Sequence, residues 1–591
     1  MTGRAGQTSW TAGRGARLFL YPALLQLKGA WAGMSAVLGR DLLFQLMKYY
    51  EVPYVFGNPG TSELPFIEGA SRYDGIEYVT ALHEANAVGM AMGYARQTGK
   101  PGVVVLHVAP GLANGMGNIY NAYRAGIPLV VIAGQHHSRL LIEEPILAGD
   151  HVGQVRSMTK WAHEIRHVHE MPLALHRAFK VATTPPQGPV FLSVPYDLAM
   201  SPSPVERLQP PTRVASGFAA ERAVLERIAE ELLAARNPLI VSGDRVGDTR
   251  AHVEVQELAE TLGIGLMAEG MSTRVNADNR HPQYLGMLPP SSAMIRNILK
   301  QHDVVLYAGV TVQAPFPLFD DRGSLVSPDT KVIHLSDDPW EIGKNVLGGI
   351  GAWGDVKASL KALLEIVKDR AGSRQEEIQR RREEVRAKAE ERRRKLEAEL
   401  EAERGREELT ANVAAAELAR HLPQDGSFAI VNEAVANAAS FSNYIPMWEP
   451  NQYTAGKGGG LGHGASQAVG MALAERHRTV VAAIGDGTFL YYPQVLYSAV
   501  QVNARVLYFI VNNRAYHILK TGMQAMKNFG APFEVVPESL DLNGPFDLVR
   551  MAESFGVPAE RAVNTQQLSD ALKRGLAADG PYLIDVVIQQ N

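Results

Sequence analysis

Thr479-Val-Val-Ala-Ala-Ile-Gly-Asp-Gly487 and Val506-Leu-Tyr-Phe-Ile-Val-Asn-Asn513 decide how this chain is built. Each is a short apolar run that ends abruptly in polar residues, as a strand buried on both faces of a parallel sheet does. Both polar clusters therefore fall at carboxyl ends of strands, where open α/β sheets take ligands. Asp486 offers a carboxylate and Asn513 a side-chain carbonyl, oxygen donors suited to a hard divalent cation. Gly485 and Gly487 let the backbone approach a phosphate closely, and the helix N-terminus that follows favours its negative charge. The pair reads as a site for Mg²⁺ with a diphosphate.

The same alternation of strand and helix recurs twice upstream. From Met34 the runs Val103-Val-Val-Leu-His107, Pro128-Leu-Val-Val-Ile-Ala133 and Pro189-Val-Phe-Leu-Ser-Val194 predict one parallel sheet. A Pro-rich passage, Ser201-Pro-Ser-Pro204 to Pro210-Pro211, marks a linker. A second block carries strands near Pro238-Leu-Ile-Val-Ser242, Val304-Val-Leu-Tyr307 and Lys331-Val-Ile-His334. Then the composition turns to Glu, Arg, Lys and Ala, opened by a Ser373-x-x-Glu376 capping box and carrying the pair Glu376/Arg380, which predicts a long exposed helix. The third block closes on Tyr582-Leu-Ile-Asp-Val-Val587. The predicted fold is α/β, with three doubly wound parallel-sheet domains at 34–205, 218–370 and 410–591 and a charged helical linker at 373–409. Residues 1–33 read as an extension. Its apolar stretch Leu18 to Leu27 imitates a signal peptide but holds Pro22, and it falls short of the ~20 residues that span a bilayer.

With 591 residues the chain is too long for one compact domain, at roughly 150 residues each. Lys and Arg total 58 against 62 Asp and Glu, so no global field draws a polyanion, and nucleic acid is not an expected partner. Nor is a membrane. The absence of cysteine removes disulfides, thiolate metal sites and Cys nucleophiles, and fits a reducing, cytoplasmic setting.

Gly-Asp-Gly followed after this interval by Asn-Asn resembles the cofactor motif of thiamin-diphosphate-dependent enzymes. The resemblance implies that Asp486, Asn513 and the main-chain carbonyl of Ala515 hold Mg²⁺, with Gly485 and Gly487 beside the diphosphate. Gly458-Gly-Gly-Leu-Gly462 is similar to the segment that supports the aminopyrimidine; Leu461 is the implied wedge beneath the thiazolium, and Gly459 the implied carbonyl that accepts from the 4′-amino group. In the first block Leu82-His-Glu-Ala-Asn-Ala-Val-Gly-Met-Ala-Met-Gly-Tyr94 resembles the segment whose glutamate, here Glu84, hydrogen-bonds the pyrimidine N1′. A carboxyl bonded there favours the imino tautomer that activates the cofactor. The three domains are then pyrimidine-binding, middle and diphosphate-binding. Because the family takes its glutamate from a neighbouring subunit, a homodimer or homotetramer is implied.

Within that family, Gly57-Asn-Pro-Gly-Thr-Ser-Glu-Leu-Pro-Phe66 and Leu106-His-Val-Ala-Pro-Gly111 look most like benzoylformate decarboxylase. His107 is the implied proton shuttle. Thr61 stands where that enzyme has Ser, with Ser62 as a substitute, and His281 in Arg280-His-Pro282 matches a second catalytic His. Ala455 stands where an aromatic residue of the phenyl pocket is expected. His136-His137 is similar to the paired histidines of pyruvate-type decarboxylases. The implied activity is decarboxylation of a small 2-oxo acid to an aldehyde. An acetolactate-synthase-like carboligase is the alternative, since Leu285-Gly-Met-Leu288 after His281 also resembles synthases.

His163-Glu-Ile-Arg-His167 spells the zinc-peptidase motif, which requires a helix so that both His share a face. Here Trp161, His163, Ile165, His167 and His169 alternate with their neighbours as a strand does, and residues four apart in a strand are about 13 Å apart. A dinucleotide reading of Gly460-x-Gly462-x-x-Ala465 lacks an apolar strand before it.

Overall fold

In the computed structural model the described residues are 37–311, 324–346, 348–528 and 530–590. The N-terminal extension and its apolar stretch Leu18 to Leu27 lie outside them. Three six-stranded sheets carry the fold, and every strand pairing within them is parallel.

The first sheet holds β1 (Tyr54–Gly57), β2 (Glu77–Thr80), β3 (Gly102–Leu106), β4 (Leu129–Gln135), β5 (Trp161–Glu164) and β6 (Val190–Pro195), in the order β2-β1-β3-β4-β6-β5. The second holds β7 (Leu239–Ser242), β8 (Gly265–Ala268), β9 (Tyr284–Met287), β10 (Val304–Ala308), β11 (Lys331–Ser336) and β12 (Ile350–Trp353), in the order β12-β11-β10-β7-β8-β9. The third holds β13 (Phe428–Glu433), β14 (Tyr453–Ala455), β15 (Thr479–Gly485), β16 (Val506–Asn512), β17 (Ala559–Ala562) and β18 (Tyr582–Val587), in the order β14-β13-β15-β16-β18-β17. Each sheet thus has a point from which the strand order runs on in opposite directions on either side, between β1 and β3, between β7 and β10, and between β13 and β15. A crevice opens at the carboxyl ends of such a pair.

Central strands such as β3, β4 and β16 are buried along their whole length, which is why their sequences are unbroken apolar runs. The first and third domains share one apolar core. It closes where α1 (Glu84–Thr98) crosses a helix of the third domain, through glycines: a β-carbon on Gly93 would stand 1.9 Å from the Gln467 carbonyl oxygen, and one on Gly470 1.8 Å from that of Met90. Only glycine permits this approach of two backbones.

Two local expectations change. A three-residue strand, β14, does precede the glycine-rich segment; Tyr453-Thr-Ala455 is too short and too polar to read as an apolar run. The capping box at Ser373 does not form. After α2 (Val108–Arg124) in the first domain, the charged segment folds as α3 (Gln375–Arg404), a short 3₁₀ turn occupies Ala371–Arg374, and no side chain caps the helix start. Arg380 faces Glu384 at 4.0 Å. One side of α3 is buried through Ile378, Arg381, Val385 and Ala389, and Arg381 donates to the carbonyls of Ala235 and Leu262, so the helix straps the middle domain. Further along, Tyr444 of the third domain donates to the Leu396 carbonyl. No helix among the described residues is long and apolar enough to cross a membrane.

Candidate active site

Asn58-Pro-Gly60 leaves β1 and His107 leaves β3 on either side of the first sheet's reversal point. His107 Nδ1 lies 2.7 Å from Glu63 Oε2, and Ser62 Oγ lies 3.4 Å from the same nitrogen. The Glu63 side chain is wholly buried, and that burial pushes its pKa above the carboxylate range although His107 and Ser62 pull the other way. Packing permits little else: a β-carbon on Gly60 would fall 2.0 Å from His107 Nδ1, and one on Gly134 2.0 Å from Glu63 Oε1. Val108, a β-branched residue, follows at φ 41°, a conformation kept only where its surroundings enforce it. Thr61 is exposed at the start of a short 3₁₀ turn while Ser62 is buried, so of the two hydroxyls only that of Ser62 meets the imidazole.

Glu84 opens α1 and is 5 % exposed. Asn114 Nδ2 donates to its Oε2 at 3.0 Å, and Asn58 Nδ2 to its Oε1 at 3.3 Å. Two amides thus hold the carboxylate at the same sheet edge as His107, with no cation among its described partners.

In the third domain, β13 ends at Glu433 and β15 at Gly485, again flanking a reversal. Asp486 is buried, its Oδ1 accepting from Gly487 N (2.8 Å) and its Oδ2 from Arg514 N (2.7 Å). Burial, with the Asp585 carboxylate adding to it, pushes its pKa up to about 6. Asn513 Oδ1 accepts from Ala515 N at 3.1 Å, and Arg514 takes φ 53° to wrap this turn around Asp486. A buried carboxylate oriented by two N–H groups, beside an amide oxygen and the main-chain carbonyl of Ala515, is a donor set that fits Mg²⁺. Among the described residues no three His, Asp or Glu gather as a metal site elsewhere.

Glu433 accepts from Gly462 N (2.8 Å) and Gly464 N (2.6 Å), tying down the start of α4 (His463–Ala474). Asn121 of α2 grips Gly460 twice, donating to its carbonyl (2.7 Å) and accepting from its N–H (3.1 Å). Leu461, between these fixed points, is half-buried, and Gly459, just before them, takes φ 83° with open space where a β-carbon would stand. That cradle fits a flat heterocycle. Gly487 packs against the Tyr516 ring.

His281 lies in the middle domain with both ring nitrogens engaged, Nδ1 accepting from Gln283 N (3.2 Å) and Nε2 3.0 Å from Glu260 Oε1; it meets none of the other candidates. His137 caps the turn after β4 and lies 3.5 Å from Asp197. The peptidase motif begins on strand β5, His163 pairing with Glu170 at 3.1 Å while His167 caps a 3₁₀ turn, so the two imidazoles share no helix face. Among the described residues no hydrogen bond or ion pair joins Glu84 to Asp486 or Asn513.

Sequence reasoning passed over Glu63, Asn114, Asn121, Glu433 and Lys457. Glu433 was open to the same strand-end argument as Asp486, since the run Phe428-Ala-Ile-Val431 leads into it. Glu63 lies within the quoted Gly57 to Phe66 segment. The helical asparagines carry no sequence signal, because their partners are distant in the chain.

Three family models match: the N-terminal TPP binding domain of thiamine pyrophosphate enzymes over residues 38–153, their central domain over 225–363, and their C-terminal TPP binding domain over 434–586. Benzoylformate decarboxylase of Pseudomonas aeruginosa is 34 % identical over 92 % of this chain and 98 % of its own. Acetolactate synthase isozyme 3 large subunit of Escherichia coli is 27 % identical over 92 % of this chain and 93 % of its own. Among solved structures, the thiamine diphosphate-dependent 4-hydroxybenzoylformate decarboxylase of Rhodococcus jostii RHA1 superposes with a TM-score of 0.80 at 28 % identity, covering 94 % of this chain and 99 % of that one. Two strand-end clusters, one around buried Asp486 and the other around Glu84 and the Glu63–His107 pair, thus sit within a chain that belongs to the thiamine pyrophosphate enzyme family.

Proposed function

We propose that this protein decarboxylates a 2-oxo acid to an aldehyde without oxidation, using thiamin diphosphate and Mg²⁺. The observation that carries the reading is the His107 imidazole, fixed by buried Glu63 on the sheet edge that also bears Glu84. When bound, the cofactor supplies a carbon nucleophile that adds to the 2-oxo carbonyl and takes up the electron pair left by departing CO₂. Asp486, the Asn513 side-chain oxygen and the Ala515 carbonyl would hold the cation, and Gly485 and Gly487 would admit the diphosphate. Gly459 and Leu461 would support the heterocycle. Glu84, shielded and held by two amides, would hold a proton at the pyrimidine nitrogen. Nδ1 of His107 is committed to Glu63, so Nε2 is the atom left to move a proton to the product carbon. Ser62 is the hydroxyl in contact with the imidazole, whereas His281, engaged through both ring nitrogens in the middle domain, and the exposed Thr61 take no part in this reading. The 34 % identical benzoylformate decarboxylase supports an aryl 2-oxo acid as substrate. Self-association as a homodimer or homotetramer belongs to the same reading, one chain's Glu84 serving another chain's Asp486.

Carboligation of the acetolactate-synthase kind is the competing reading, supported by relatives such as the 27 % identical Escherichia coli enzyme. An imidazole suits protonation of the product carbon better than capture of a second 2-oxo acid. Incubating the holoenzyme with benzoylformate, and separately with pyruvate alone, then resolving aldehyde from acetolactate-type products, decides between them. Aldehyde is expected, with turnover falling at least a hundredfold in His107→Ala, the scale of a lost general acid. Predominant acetolactate, unchanged in that variant, would overturn the decarboxylase reading.

A further inference from the structure

The crevice of the middle sheet is already filled, and by the chain itself. Gly243-Asp244 leaves β7, Glu269 leaves β8, and Gly309-Val-Thr311 leaves β10, so these residues rim the point where the strand order reverses. In an open α/β sheet that is the ligand-binding crevice. Into it comes Lys457 of the third domain, its side chain 2 % exposed and its Nζ donating to Asp244 Oδ2 (2.6 Å), to Glu269 Oε1 and to Thr311 Oγ1 (2.5 Å). The carboxylates are themselves fixed: Thr273 donates to Asp244 through N–H (2.7 Å) and hydroxyl (2.8 Å), and Thr311 N donates to Glu269 at 2.9 Å. The rim has no slack, for a β-carbon on Gly243 would fall 2.3 Å from the Gly309 carbonyl oxygen.

Lys457 immediately precedes Gly458–Gly462. Glu433 and Asn121 hydrogen-bond that segment from Gly460 onward, whereas Gly458 only packs against Asn121, so an anchor just before it bears on the segment's first residues. Glycines supply no side-chain packing of their own and lose the most freedom on ordering. A buried ammonium held by three oxygens has one position; at about 3.5 Å per residue, Gly459 lies within two steps of it.

We propose that Lys457 is a positioning residue: it occupies the middle domain's ligand crevice from within the chain and so holds Gly458–Gly462 in the shape that receives the cofactor. This rests on the reading that this segment supports thiamin diphosphate. The middle domain then acts on the cofactor without touching it, and its crevice serves as a socket.

Lys457→Met alone would leave two buried carboxylates facing each other, so the informative variant is the triple Asp244→Asn, Glu269→Gln, Lys457→Met, which removes all three charges and conserves size. Titration calorimetry of the full-length protein with thiamin diphosphate in Mg²⁺ should show its Kd raised at least tenfold, while KM for the 2-oxo acid stays within threefold of the parent. A folded triple variant that binds the cofactor as tightly as the parent overturns the inference alone; a parent that binds no thiamin diphosphate overturns the cofactor reading and the inference with it. Hydrogen exchange on the parent needs no variant. Adding the cofactor should slow exchange in peptides spanning Gly243–Asp248 and Glu269–Thr273, and unchanged exchange there would also refute the proposal.

Discussion

Glu63 is buried at an energetic loss, and that loss points to its use. Burial pushes its pKa up, and its Oε2 lies 2.7 Å from the His107 imidazole. Groups that work against the stability of the fold while orienting a reactive side chain are those whose removal separates activity from stability. Glu63→Gln is therefore expected to lower kcat roughly 10- to 100-fold with KM little changed, while the melting temperature stays level or rises. A variant that loses stability and activity in parallel would place Glu63 among ordinary core contacts. A second residue tests the fold's response to acid. His151 is fully buried with Nδ1 3.1 Å from Ser193 Oγ, and burial pushes its pKa down to about 4. A base depressed from about 6.5 in the unfolded chain stabilises the fold above that pH, and the benefit is lost as pH falls from 6.5 toward 4. At about 1.4 kcal/mol per unit this reaches roughly 3 kcal/mol. The melting temperature of His151→Gln should accordingly fall less steeply than the parent's over that window; parallel slopes would assign the acid sensitivity to other groups.

Helices and strands were legible to different depths. Strand positions could be read because strands buried on both faces must be apolar throughout, and β3, β4, β6, β10, β15 and β16 fall where the runs are. The alternation read from Trp161 to His169 located an edge strand, but that strand ends at Glu164, its four residues are uniformly half-buried, and His167 already caps a 3₁₀ turn. What the sequence does not display is purpose that resides in a distant partner. Gly93 reads as a helix-weakening residue until Gln467 lies against it, and the sparse apolar positions of α3 do not say which domain they meet. The crossing of α1 and α4 gives a quantitative check. Gly470→Ala must force two backbones apart and should cost about 2–3 kcal/mol in urea denaturation. Gly99→Ala, at φ 71° with nothing within 4 Å, should cost only about 1 kcal/mol. Equal losses would show that the crossing is less tightly packed than its geometry states.

At the scale of the whole molecule, Asn121 ties the first domain to Gly460 of the third, yet among the described residues no hydrogen bond or ion pair joins Glu84 to Asp486 or Asn513. Asp486, Asn513 and the Gly-Asp-Gly turn were readable because neighbouring strand ends bring them together locally, whereas in the proposed reading Glu84 serves another chain's site, which no single strand encodes. Mixed assembly tests this directly. Glu84→Gln and Asp486→Ala should each be inactive as pure proteins. Co-expressed in equal amounts they should recover about a quarter of parental activity, because half of randomly formed dimers then pair unlike chains and each such dimer has one intact site of two. No recovery would mean that each site is completed within one chain.

The glycine crossing also decides where this molecule can move. Two backbones in direct contact have no side chains between them to slide or repack, so α1 and α4 behave as a weld, and the domains they join turn as one body. Breathing must then be carried by parts with few attachments. Just past Asn513 lies α5 (His517–Asn528), an amphipathic helix none of whose residues is buried in the single chain. Lifting it uncovers no buried side chain of its own, so its opening is a low-cost motion beside Asn513. Motion beside Asn513 would then belong to one helix without buried residues, while the frame that joins the first and third domains stays still.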